Sequence, residues 1–118
     1  MLSDHELSRV IDLLHKVRRP FDAAIPGARP DPYWNLVLEL VECHLRRRPL
    51  SKTTLIKRSQ TSYSTGYRLI AKMIEDGSII RVPRGPHHKT TLLAPSPEFV
   101  ESFANYAEGL KARLASLA

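Results

Sequence analysis

Ser62, Ser64, Thr65, Tyr67, Arg68 and Lys72 fall within the stretch SYSTGYRLIAK and bring donors and cations together with no carboxylate among them. Short hydroxyls approach an anion or a polar edge closely. Arginine presents a planar fork that fits two acceptors at once, and tyrosine adds a flat ring with a donor at its tip. A second such group, Arg84, His87, His88 and Lys89, lies in PRGPHHK. This is the chemistry of holding an anionic or polar partner. Bond-making chemistry has no comparable signature: the chain carries no Gly-rich phosphate loop, paired carboxylate motif or nucleophile elbow, so no enzyme activity is expected. Adjacent His87 and His88 have no acid or cysteine near them in sequence, so no metal and no cofactor is implied.

These residues need elements to position them. Residues 62–76 read as a helix capped by Ser62, burying Leu69, Ile70 and Met73 and stopping at Gly77. That burial turns Ser64, Thr65, Tyr67, Arg68 and Lys72 to the opposite arc or its margins. Upstream, Ser51 caps a short helix to Ser59 with Leu55 and Ile56 inward, and SQT makes the turn between the two. Asp31-Pro32 opens an earlier helix with Trp34, Val37, Leu38, Val41 and Leu45 on its buried face. SDHE is a capping box for a first helix over 3–19, ended by Pro20, and a proline-rich connection spans 20–32. Downstream, SIIRV and KTTLL are two short strands joined by PRGPHH, and Ser96-Pro97-Glu98 opens a last helix over 97–117. One domain, 1–118, is expected, with its core over 33–93. The order is that of a winged helix-turn-helix, mainly α with a small β-hairpin wing, with a helix added at each end.

Charge names the partner class. The net charge is +6, and between His44 and Pro97 eleven lysines and arginines face only Glu75 and Asp76, a local +9 that leaves −3 for the two flanks. A basic middle between faintly acidic ends is the footprint of a polyanion-binding module, and nucleic acid is the commonest polyanion. Within that reading Arg68 can reach guanine bidentately, and Tyr67 can lie against sugar or a thymine methyl. The wing cations suit the negative potential of the minor groove. Arg46, Arg47 and Arg48 sit at a helix C-terminus, where the dipole favours cations whatever the ligand.

From Pro49 to Leu93 the chain resembles the MarR family of bacterial transcriptional regulators. STGYRLIAKMIEDGSIIR carries the resemblance, with Thr65, Arg68, Leu69, Ile70, Met73, Gly77, Ile79 and Arg81 on the family's positions. The resemblance implies a homodimer that inserts its fourth helix into the major groove of double-stranded DNA and lays its wing along the minor groove. It leaves any small-molecule effector unidentified. The chain departs from the family in its turn (Ser59, Gln60, Thr61), in the missing Asp-x-Arg of the wing, in a short first helix and in the proline-rich connection. The competing expectation is a winged-helix protein-interaction module without sequence-specific DNA binding, because a fold does not fix a function.

The terminal helices carry the expected dimer interface. Val100, Phe103, Ala107, Leu110, Leu114 and Leu117 alternate steps of three and four, and Leu7, Val10, Leu14 and Val17 form a matching stripe on the first helix. Leu7, Val10, Leu14, Val17, Phe103, Leu110, Leu114 and Leu117 are the residues expected to meet a second chain. Cys43, the single cysteine, excludes an internal disulfide and reads as a packed small residue. No apolar run is long enough to span a bilayer and no export signal opens the chain, so a cytoplasmic protein is expected.

Overall fold

Five helix N-termini are fixed by side chains within three residues of them. Ser3 and Glu6 form the capping box: the Glu6 N–H donates to Ser3 Oγ at 3.1 Å, and the Ser3 N–H donates to Glu6 Oε1 at 3.3 Å. Asp31 accepts from the Trp34 N–H at 3.1 Å, Ser51 from Thr54 at 3.2 Å, Ser62 from Thr65 at 3.3 Å and Ser96 from Phe99 at 3.1 Å. In the computed structural model, which describes residues 2–24, 26, 31–83 and 91–117, these caps open α1 (Asp4–Ala24), α2 (Pro32–Arg46), α3 (Lys52–Arg58), α4 (Tyr63–Glu75) and α5 (Pro97–Ala115). Two strands, β1 (Ile79–Val82) and β2 (Leu92–Pro95), lie between α4 and α5. Among the described residues, no helix is long and apolar enough to cross a membrane.

The contacts divide the chain into two compact units, residues Asp31–Val100 and residues Met1–Pro30 with Glu101–Ala118. In the first, α2 is the central helix, packed against α3, α4 and β2. It buries Leu36, Val37, Leu38, Leu40, Val41 and Cys43. That set is wider than the single stripe read from sequence: Leu36 and Leu40 are buried, while Trp34 and Leu45 are only half-buried. A helix covered from several sides cannot show one narrow apolar face. A Schellman-type end closes α2, with Arg47 left-handed at φ 53° and the Arg48 N–H donating to the Cys43 carbonyl at 3.1 Å.

The strands pair antiparallel, Ile79 opposite Pro95 and Val82 opposite Leu92. The second strand therefore starts later than KTTLL suggested and runs on through Pro95, which at a strand end forfeits only an N–H. Leu50 joins this ladder through two main-chain bonds to Leu93, 3.0 and 2.7 Å long, so the base of the hairpin is tied to the segment before α3. Residues 84–90, which hold the expected wing tip, lie outside the described residues.

In the other unit α1 does not stop at Pro20 but continues to Ala24. Proline removes its own N–H and crowds the turn before it, yet leaves the turn after it free to stay helical. Among the described residues of this unit, Leu7, Val10 and Ile11 from α1 and Phe103 and Ala107 from α5 are the buried apolar ones. Lys111 of α5 hydrogen-bonds and ion-pairs with Glu6 of α1. That ammonium, helped by the Ser3 N–H, lowers the Glu6 pKa from 4.5 to about 2.

Candidate nucleic-acid interface

The helix that carries the candidate residues is held at close range. A Cβ on Gly66 would lie 2.9 Å from both Ile56 Cγ1 and Thr61 Cγ2, so only a glycine lets α4 approach α3 as it does. The turn between them is Ser59-Gln60-Thr61. Ser59 is buried, and its hydroxyl donates to the Ile56 carbonyl at 2.8 Å. The Asn35 side-chain amide donates to the Ser59 carbonyl at 3.1 Å. Gln60 takes the left-handed conformation, φ 56°, that a glycine would adopt without strain. The polar turn is thus held through Ser59, whose hydroxyl and carbonyl both have partners nearby.

Ile70 and Met73 are fully buried and Leu69 is half-buried, which fixes the rotation of α4 about its axis. Ser64, Tyr67, Arg68 and Lys72 are consequently exposed, and Thr65 is half-buried. Ser62 is exposed too, but its hydroxyl oxygen is engaged in the helix cap. The two carboxylates of this region, Glu75 and Asp76, come only at the far end of the helix. Asp76 accepts from the Ser78 N–H at 2.9 Å, and hydrogen bonds from Ser78 lower its pKa. Gly77, at φ 86°, then turns the chain into β1.

Two residues join this surface that the sequence did not mark as site residues. Tyr63 lies one turn before Tyr67, their ring centroids 6.0 Å apart. Lys52, at the start of α3, sets its ammonium 4.4 Å from the Tyr67 ring centroid. The four-residue spacing of the tyrosines was a usable signal, since such pairs meet on a helix surface. Lys52 required the fold, because it comes from another helix. Lys57, Arg58, Arg47 and Arg48 are also exposed, while Arg46 pairs with Glu42 at 4.0 Å. Arg84, His87, His88 and Lys89 lie outside the described residues. Cys43 is buried, its thiol donating to the Arg48 carbonyl at 2.9 Å, and burial raises its pKa.

The residues expected at a dimer interface fall into two groups. Leu7, Val10 and Phe103 are buried by their own chain. Leu14 and Leu110 are half-buried, and Val17, Leu114 and Leu117 are exposed. Leu13, not named from the sequence, is exposed as well, and lines with Val10, Leu110 and Leu114 a groove of ≈ 510 Å³ rimmed by Arg9, Asp12, Lys16 and Lys111.

No protein-family model matches the chain, and no curated protein matches it. Solved structures do. MepR, a transcription regulator of the Staphylococcus aureus multidrug efflux pump MepA, is 14% identical over 99% of this chain and 85% of its own, with a TM-score of 0.56. RV1404 from Mycobacterium tuberculosis is 15% identical over 95% of this chain and 80% of its own, with a TM-score of 0.55. The MarR family transcriptional regulator SPO1453 from Silicibacter pomeroyi DSS-3 is 21% identical over 92% of this chain and 72% of its own, with a TM-score of 0.50. At these identities the likeness is one of fold, and the fold is the MarR-like winged helix, mainly helical with one antiparallel hairpin.

Proposed function

We propose that the protein is a sequence-specific, double-stranded-DNA-binding transcriptional regulator of MarR type that acts as a homodimer. The observation that carries this reading is the outer face of α4. Ser64, Tyr67, Arg68 and Lys72 are exposed together on a helix whose opposite face is locked into the core. In a helix-turn-helix such a face enters the major groove, with residues of its N-terminal half at base edges. Arg68 is the candidate base reader. Lys52, Lys57 and Arg58 of α3 and Lys72 of α4 supply phosphate contacts, and the wing residues Arg84, His87, His88 and Lys89 reach the minor groove. The fold shared with transcription regulators supports the same reading.

Dimerisation belongs to the terminal helices. Leu7, Val10 and Phe103 already stabilise their own unit, so a second chain covers mainly Leu13, Val17, Leu114 and Leu117. One recognition helix per chain and a two-fold axis call for a pseudo-palindromic site with half-sites about 10 bp apart.

The exposed rings of Tyr63 and Tyr67 give a protein-interaction module a foothold on α4. Selection from a random duplex pool, with binding followed at low and moderate salt, separates the two. A regulator enriches a symmetric motif and loses affinity steeply as salt rises. Failure to enrich any motif, with weak binding at low salt only, would leave the interaction module standing.

A further inference from the structure

Tyr63 and Tyr67 leave 59% and 48% of their surfaces exposed, on a helix whose other large apolar residues are covered. Their rings are tilted by 33° at 6.0 Å, close enough to form one continuous apolar strip. Lys52 places its ammonium over the Tyr67 ring from the α3 side, so the strip lies on the flank of α4 that faces the start of α3. Arg68 points away from the core on the neighbouring arc. A helix entering a major groove turns its outer arc to the groove floor and its flanks to the walls. The wall is where a pyrimidine 5-methyl group projects, beside its own backbone, and thymine carries the one methyl that the groove displays. Lys52, on that same flank, would then face the phosphates of the strand that carries that methyl.

We infer that Tyr63 and Tyr67 together read a pyrimidine 5-methyl group, with Lys52 positioning the Tyr67 ring and anchoring the adjacent phosphate. The inference rests on α4 being a DNA-recognition helix. It assigns to that helix a division of labour, in which arginine reads acceptors at the centre and an apolar tyrosine strip reads methyl groups at the edge. The same methyl is present on 5-methylcytosine, so the chemistry is that of a 5-methylpyrimidine, and thymine is the source that unmodified DNA offers.

The test uses the full chain and the duplex selected from a random pool. Each thymine is replaced in turn by deoxyuridine, which removes the methyl and nothing else, and affinity is measured at fixed salt. A loss of about fourfold, the worth of one buried methyl group, is expected at one or two thymines per half-site. That penalty should disappear in Tyr63→Ala or Tyr67→Ala and persist in Tyr67→Phe, which keeps the ring. Placing cytosine or 5-methylcytosine at the sensitive position separates methyl reading from thymine reading, and the methylated base should bind more tightly. Specific binding with no methyl-sensitive position overturns the inference and leaves the DNA reading intact, as does a penalty undiminished in both alanine variants. Absence of any preferred duplex overturns both, and helix content by circular dichroism shows that the variants are folded.

Discussion

The side-chain amide of Asn35 donates to the main-chain carbonyl of Ser59 at 3.1 Å, so the central helix of the core holds the turn that aims α4. The turn itself carries strain at Gln60 and has no glycine to relieve it. Asn35→Ala leaves the Ser59 carbonyl without this donor in a partly buried site. A loss of about 1–3 kcal/mol in unfolding free energy is expected, measured by chemical denaturation.

Gly66 and Gly109 make a matched pair. Alanine in place of a helical glycine ordinarily stabilises by about 1 kcal/mol. At Gly109 nothing lies within 4 Å of the added carbon, and Gly109→Ala should raise the melting temperature. At Gly66 the new methyl meets Ile56 and Thr61 at 2.9 Å, and Gly66→Ala should destabilise by about 1–3 kcal/mol instead. Opposite signs in thermal unfolding check the close approach of α3 and α4.

Arg68 and Lys89 should fail differently. Arg68→Ala is expected to cost about 1–3 kcal/mol of binding and to relax the preference at one base pair. Lys89→Ala is expected to weaken all sequences alike and to lower the salt slope by about one. Competition titrations at several salt concentrations distinguish the two patterns.

The pair between Glu6 and Lys111 makes the terminal-helix unit sensitive to acid. The carboxyl is depressed in the fold, so its contribution is fully present above the unfolded value near 4.5 and disappears as pH falls toward about 2. Both groups are well exposed, so the effect is modest and screened by salt. The gap in melting temperature between the native chain and Glu6→Gln should close between pH 5 and pH 2.

Leu114→Asp tests the proposed dimer. Leu114 is 41% exposed on its own chain, so the substitution leaves the monomer fold largely intact. At a two-fold interface it would set two carboxylates in an apolar seam. Mass measurement in solution should show a monomer with native helix content and weakened DNA binding. A full-strength dimer would move the interface elsewhere.

Local rules made the helix starts legible. Ser3, Asp31, Ser51, Ser62 and Ser96 could each be read from their own type and their near neighbours, because capping is a short-range interaction. The helix-turn-helix order and the exposed arc of α4 followed from the apolar spacing of Ile70 and Met73. Features set by distant partners were not legible. Leu36 and Leu40 are buried because α2 is surrounded, and Leu50 pairs with a residue that only the finished fold brings to it. Pro20 was read as a stop, although a proline hinders chiefly the turn before it. Lys52 reached the candidate site from a neighbouring helix, a placement no spacing could announce.

The two bonds between Leu50 and Leu93 give the core an order of assembly. Helices α3 and α4 can form from near neighbours, but this bridge must wait until the whole stretch between its ends has closed. It therefore acts as a clasp fastened late. Once fastened, it ties the base of the hairpin to the approach to the helix-turn-helix, so β2 and the root of α3 share one hydrogen-bonded bridge.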